Sequence, residues 1–213
     1  MHCYAIAITL CCLCADVSPP TNDLPAKPPA TSEPNRIPGI VYIPTPHDVI
    51  ERMLRLANVT SDDMLYDLGC GDGRILIAAA KRHGCRAVGI DIDPRRVKEA
   101  KENIRRNRLE GRVKIRRQDL FETDLSEATV VMLYLSSRAN ERLIPSLRHL
   151  PPGSRVVSHQ FSMKGITPDR VIRVRSTEDK HVHTLYLWTT PFDRSRVRSG
   201  RKVRGSPLPT HDA

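Results

Sequence analysis

The stretch Met64-Leu65-Tyr66-Asp67-Leu68-Gly69-Cys70-Gly71-Asp72-Gly73-Arg74 decides the fold class. Its apolar start reads as a strand, glycines follow at alternate positions, and Arg74 to His83 then has helical spacing ended by Gly84. Glycines at such a junction let the backbone turn tightly and approach a ligand where a side chain would collide. This is the pattern of a nucleotide-type site. The spacing is Gly-x-Gly-x-Gly, however, whereas dinucleotide enzymes use Gly-x-Gly-x-x-Gly to seat a pyrophosphate on the helix N-terminus. Asp67 sharpens the distinction. A carboxylate beside the loop repels pyrophosphate, but it suits the cationic amino-acid part of a ligand through charge-assisted hydrogen bonds or bridging water.

Working outward, strands and helices alternate. Upstream, Thr45 to Val59 repeats apolar residues at the spacing of one helix face, with Thr45 as cap and Pro46 in the first turn. Downstream, Arg86 to Ile92 reads as a strand and Pro94 to Arg108 as a helix whose inner face is Val97, Ala100 and Ile104. Strands follow at Val113 to Arg117 and Thr129 to Leu135, then a helix at Ala139 to Leu150 and a strand at Arg155 to His159. The runs Val171 to Arg175 and Thr184 to Thr189 have no helix between them and imply an antiparallel hairpin. The expected fold is α/β, a Rossmann-like, seven-stranded, mostly parallel sheet with a C-terminal antiparallel hairpin and helices on both faces.

Acids recur at the strand ends. Asp91, in Gly89-Ile90-Asp91-Ile92-Asp93-Pro94, stands about where an acidic residue meets a ribose in such sheets, and its carboxylate can accept both hydroxyls. Asp93, next to Pro94, could equally cap the following helix. Asp119 follows the third strand and could receive an adenine amino group. Each acid alone has a structural explanation. Three at successive strand ends point to one ligand crevice.

These segments, Asp67 to Gly73, Gly89-Ile90-Asp91 and Gln118-Asp119, strongly resemble motifs I to III of class I S-adenosylmethionine-dependent methyltransferases, and the resemblance covers roughly Pro44 to Thr190. It implies that Asp67, Gly69, Cys70, Gly71 and Gly73 pass the methionine moiety, that Asp91 with Ile92 holds the ribose, and that Asp119 with Leu120 contacts adenine. A narrower resemblance rests on Val41-Tyr42-Ile43-Pro44-Thr45-Pro46, Asp119-Leu120-Phe121, Leu133-Tyr134-Leu135, Val156 to Phe161 and His183 to Trp188. Those segments look like the bacterial branch of a family of small protein-lysine methyltransferases. That family includes mitochondrial enzymes acting on the adenine-nucleotide translocase and on the c subunit of ATP synthase. It implies a protein substrate with an accessible lysine, and it makes Thr45 and Pro46 neighbours of the methionine end.

One departure matters. Many amino methyltransferases carry Asn or Asp followed by Pro-Pro-Tyr after the fourth strand, where this chain reads Leu133-Tyr134-Leu135-Ser136-Ser137. DNA-adenine chemistry is disfavoured, and Tyr134 becomes the candidate catalytic residue, its aromatic face orienting an amine as positive charge develops. An ordinary core aromatic is the other reading of Tyr134. His159 at a strand end is a weaker candidate base. Two rival functions stay open: an RNA or small-molecule methyltransferase, and a non-catalytic cofactor-binding, membrane-associated protein.

Composition bounds the rest. The chain has 213 residues, 39% hydrophobic and 27% charged, enough for one domain with a core plus tails. No apolar run reaches the roughly 18–20 residues of a membrane-spanning helix. The formal charge of +10 suits RNA, acidic proteins or anionic lipid. Residues 1–38 read as an apolar leader, Tyr4 to Ala15, and a Pro-rich linker; 39–192 as the methyltransferase domain; and 193–213 as a basic disordered tail. No Lys or Arg precedes Lys27, which weakens a secretory reading of the leader. Cys11 and Cys14 have C-x-x-C spacing but no further ligands complete a metal set. The methyl donor is cytosolic, so the expected location is cytoplasmic, with membrane association through the N-terminal segment left open.

Overall fold

The structure, a computed structural model, describes residues 42–192. The leader, linker, basic tail and Cys11–Cys14 spacing lie outside the described residues. The chain runs α1 (His47–Leu56), β1 (Met64–Leu68), α2 (Arg74–His83), β2 (Arg86–Asp91), α3 (Pro94–Arg106), β3 (Val113–Arg117), β4 (Val130–Leu133), α4 (Ser137–Leu147), β5 (Arg155–His159), β6 (Arg170–Arg175) and β7 (Val182–Thr189). A short 3-10 turn, Leu120–Glu122, follows β3.

The strands form one sheet in the order β3-β2-β1-β4-β5-β7-β6. The first five are parallel, and β7 inserts antiparallel between β5 and β6. The strand order reverses between β1 and β4, so the crevice beyond their carboxyl ends is where an open α/β sheet binds its ligand.

Side chains alternate across the strands and split the core into two layers. On one face Leu65, Ala87, Met132, Val157 and Leu185 pack with α1 and α2 and the end of α3. On the other, Leu68, Ile90, Val131, Leu133 and Trp188 pack with α4 and the segment 163–166. α1 gives Val49, Ile50, Met53 and Leu54, none with any exposed surface, to the first layer. Burying each such side chain contributes about 1.5–3 kcal/mol. In α3 the buried residues are Val97, Ala100 and Ile104, the face its spacing predicts.

Several boundaries differ from the sequence expectation. β4 ends at Leu133, so Tyr134 stands just beyond the strand; α4 starts earlier, at Ser137, because the Ser136 hydroxyl accepts from the Ala139 amide at 3.3 Å. The expected cap of α1 is also corrected. Pro46 itself holds the N-cap position, without a side-chain cap. The Glu178 carboxylate, in the β6–β7 turn, instead accepts from the amides of His47 and Asp48, both at 3.1 Å. Among the described residues no helix is long and apolar enough to cross a membrane.

Candidate functional site

β1 ends in Asp67 and Leu68, and the glycine loop folds back over the end of β2. The amides of Gly69 and Cys70 both donate to the Ile90 carbonyl, at 2.8 and 2.9 Å. Gly71 follows with φ +54°, and a Cβ there would meet the Tyr42 ring at 2.1 Å. The loop therefore lies close beneath an aromatic side chain from the segment preceding α1. The Cys70 thiol is buried, and burial raises its pKa far above the ordinary range, so it is no nucleophile. Its sulfur packs over Gly89, which leaves only the Cys70 backbone to face a ligand.

Asp67 is the most unusual acid among the described residues. It is 2% exposed, and its Oδ2 finds no hydrogen-bond partner among the described residues. Burial, then the Asp91 and Asp72 carboxylates, push its pKa up to about 8. An orphaned, buried carboxylate beside a glycine loop is complementary to a cationic group.

Asp91 is partly buried at the end of β2. Its Oδ2 accepts from the Gly71 amide at 2.9 Å and its Oδ1 from the Asp93 amide at 2.9 Å. Each oxygen keeps a lone pair for a ligand hydroxyl. Asp93 caps α3, accepting from the Arg95 amide at 2.8 Å, which settles its role as structural. Ile92, 42% exposed, stands beside the crevice. The Gln118 amide donates to the Asp91 carbonyl at 3.1 Å and brings Asp119 and Leu120 alongside. Asp119 Oδ1 caps the 3-10 turn through the Phe121 amide at 2.9 Å. Asp67, Asp91 and Asp119 thus step along the carboxyl edges of β1, β2 and β3.

Across β1 lies a second group. Arg74, bonded through Nη2 to Asp72 at 2.7 Å, reaches with Nη1 to the Thr45 carbonyl at 3.1 Å. This staples the Pro44-Thr45-Pro46 segment to the start of α2, with Thr45 and Pro46 buried. Tyr134 is half-buried, its ring centroid 3.9 Å from that of His159. Burial, then the Asp179 charge, raises the Tyr134 pKa. Tyr134, His159 and Thr45 therefore cluster beyond the ends of β4 and β5, away from Asp91 and Asp119. His159 is fully buried, and burial lowers its pKa to about 4, followed by the neighbouring His183. That pKa fits a neutral hydrogen-bonding group rather than a base working near neutrality.

Sequence reasoning missed Tyr42, Arg74, His183 and Asp179. Tyr42 and Arg74 flank residues already singled out, so adjacency to the Pro-Thr-Pro segment and the glycine loop was an available signal. His183 and Asp179 carry no such signal, since only the pairing of β5 with β7 brings them to His159.

S-adenosylmethionine carries an amino-acid cation, a ribose diol and an adenine, and the residues present fit it in that order. The orphaned Asp67 oxygen matches the cation, Asp91 the diol and Asp119 the amino group. Among the described residues no cluster could hold a metal ion.

The family model described as the ANTKMT methyltransferase domain matches residues 67–170. A protein-lysine N-methyltransferase of Saccharolobus islandicus is 48% identical over 155 residues, covering 71% of this chain and 94% of that one. The human lysine N-methyltransferase named for the C subunit of ATP synthase is 30% identical over 131 residues, 61% of this chain and 55% of that one. Among solved structures, an RNA methyltransferase of Salinibacter ruber in complex with S-adenosyl-L-homocysteine is 49% identical, with a TM-score of 0.66, covering 70% of this chain and 94% of that one.

Proposed function

This chain belongs to the S-adenosylmethionine-dependent methyltransferase family of the Saccharolobus islandicus protein-lysine N-methyltransferase, and from that premise we propose that its acceptor is the side-chain amine of a protein lysine. The observation carrying the acceptor class is that relative, 48% identical across 94% of its length. The geometry agrees with it. After β4 stands an aromatic ring, Tyr134, in place of an Asn or Asp followed by Pro-Pro-Tyr. A ring face there can guide an amine whose nitrogen becomes cationic as the bond forms.

S-adenosylmethionine, when bound, supplies the methyl electrophile and a sulfide leaving group. The chain's own residues supply binding and alignment. In this reading Asp67 pairs with the amino-acid cation, the glycine loop lets the backbone come close, and Asp91 with Ile92 takes the ribose. Asp119 and Leu120 take the adenine. Thr45, Pro46 and Tyr134 border the end where the acceptor enters. Alignment of nucleophile, carbon and leaving group alone can lower a barrier by roughly 7–11 kcal/mol in favourable cases. A lysine, with a solution pKa of ~10.4, must first shed a proton, and partial dehydration at the site would favour the neutral amine.

RNA is the second reading, supported by the Salinibacter ruber relative and the formal charge of +10. We place the enzyme in the cytoplasm, where the methyl donor is available, with association through the apolar segment Tyr4 to Ala15 as the membrane contact; cell fractionation tests both. One experiment separates the acceptors. The purified protein is incubated with methyl-labelled cofactor and a cell extract, which is then fractionated into protein, RNA and small molecules, with Asp91→Ala as the blank. Nuclease-resistant label recovered as methyl-lysine is the expected result. Label confined to RNA or small molecules refutes the lysine reading and leaves the cofactor site standing.

A further inference from the structure

A row of four polar side chains leads from the segment before α1 to the surface. Thr45 Oγ1 is 3.2 Å from His159 Nδ1, His159 Nε2 is 2.8 Å from His183 Nδ1, and His183 Nε2 is 3.1 Å from both oxygens of Asp179. The first three are buried, His159 completely, while Asp179 is exposed. Both ends are pinned together. Besides the Glu178 cap on α1, Asp48 of α1 accepts from the Thr177 amide at 2.6 Å and from the Ser176 hydroxyl at 2.9 Å.

When both imidazoles are neutral, the pairing sets the direction of every proton. A carboxylate only accepts, so His183 Nε2 must be the donor. With both imidazoles neutral, His183 Nδ1 is bare and takes the Nε2–H of His159. His159 Nδ1 is then bare as well, and it takes the Thr45 hydroxyl proton. Thr45 Oγ1 makes no other hydrogen bond among the described residues, so its lone pairs stay available. Its carbonyl is fixed by Arg74 at the start of α2, and the Tyr134 ring packs on His159. Thr45 therefore stands between the glycine loop and the ends of β4 and β5, on the acceptor side of the crevice.

We propose that Thr45 Oγ1 accepts a hydrogen bond from the acceptor's amine nitrogen, and that His159, His183 and Asp179 are positioning residues that keep the Thr45 proton turned inward. This rests on the reading of the chain as an amine methyltransferase. An amine about to be methylated must aim its lone pair at the methyl carbon, so its N–H bonds need acceptors elsewhere. A hydroxyl whose proton is committed inward is such an acceptor. A hydroxyl free to turn would donate to the amine lone pair and block it.

Nitrogen-15 NMR of the full chain reads the row without any acceptor present. The expected result is Nε2–H on both His159 and His183 near neutral pH, and Nδ1–H on His159 overturns the proposal. The second readout uses Asp179→Asn. Oδ1 of residue 179 accepts from the His181 amide at 2.9 Å and also lies 3.1 Å from His183 Nε2, so the amide NH2 falls in the place of Oδ2: one of the two acceptors facing Nε2 becomes a donor and the carboxylate charge is lost. The row then no longer holds one direction. The rate of label transfer at saturating cofactor is expected to fall on the order of 10–100-fold, the scale of a misaligned reacting group, with S-adenosylhomocysteine affinity unchanged by calorimetry. Thr45→Val should lower the rate at saturating cofactor to the same extent, and Thr45→Ser should restore transfer. Wild-type rates in Asp179→Asn or Thr45→Val overturn the proposal. Rates are compared in whichever extract fraction the wild type labels. RNA label alone thus sinks the lysine reading separately, and no label in any fraction sinks both.

Discussion

The backbone amide of Gly71 donates to Asp91 Oδ2 at 2.9 Å, so the loop after β1 and the end of β2 are tied by the carboxylate that is complementary to a ribose. Asp91→Ala removes that tie together with the acceptors for two hydroxyls. Hydrogen bonds to charged groups contribute about 1.5–3 kcal/mol, so S-adenosylhomocysteine should bind roughly 10- to 150-fold more weakly. Isothermal calorimetry measures this. Unchanged affinity would mean that the ribose lies elsewhere.

Gly71→Ala should disturb the same loop from the opposite side. The left-handed backbone at φ +54° costs an L-residue about 1–2 kcal/mol, and the new methyl would stand 2.1 Å from a carbon of the Tyr42 ring. Gly165→Ala is the control, with φ +81° and nothing within 4 Å of its Cβ. Thermal melts should show a larger loss at position 71 than at 165, and adding Tyr42→Ala to the Gly71 variant should recover the difference. Equal losses in the two glycine variants would show that Tyr42 yields without cost.

Much of this fold is legible in one dimension because its signals are local. Gly84 in the left-handed region ends α2 where the spacing places it, and β1, β3 and β5 have the predicted ends. The three acids are legible for the same reason, each standing beside its own strand end. What is not legible depends on partners far away in the chain. Thr45 reads as a helix cap, yet its hydroxyl turns to His159, 114 residues on, because Glu178 already serves the α1 amides. His183 and Asp179 acquire meaning only through the β5–β7 register and the turn that β6 and β7 make. The 3-10 turn at Leu120 has no periodic signal, being one turn long and held by the Asp119 cap.

Asp63→Ala should separate folding from function. The Asp63 carboxylate, 4% exposed, accepts from the Thr129 hydroxyl at 2.6 Å, the Thr60 amide at 2.8 Å and Arg155 Nη2 at 2.7 Å, joining β1, β4 and β5 at the end opposite the crevice. Breaking one partner of a buried pair costs about 3–5 kcal/mol; the lower part of that range applies, because the Arg155 side chain keeps 24% exposure and is partly solvated. Chemical denaturation should show that loss. Cofactor affinity, measured below the melting range, should stay at the wild-type value, and a parallel loss of affinity would contradict the separation.

Asp67 should make cofactor binding depend on pH in a direction its surroundings dictate. Its pKa of about 8 in the free protein, set first by burial and then by Asp91 and Asp72, leaves the carboxyl protonated near neutrality. A cationic ligand group pairs with the ionised form, so binding expels the proton and affinity should rise with pH up to about 8, by at most about tenfold per unit. Calorimetry in buffers of different ionisation enthalpy reads the released proton directly, and Asp67→Asn should abolish it. Stability runs the other way. The folded pKa lies above the unfolded value of ~3.9, so this group's stabilising share is complete below about pH 4 and is lost as pH rises through about 8. Relative to wild type, Asp67→Asn should therefore gain thermal stability steadily across that window while binding cofactor more weakly. A stability difference that is flat with pH would place the Asp67 carboxyl in contact with solvent and remove the basis for its role as the cation's partner.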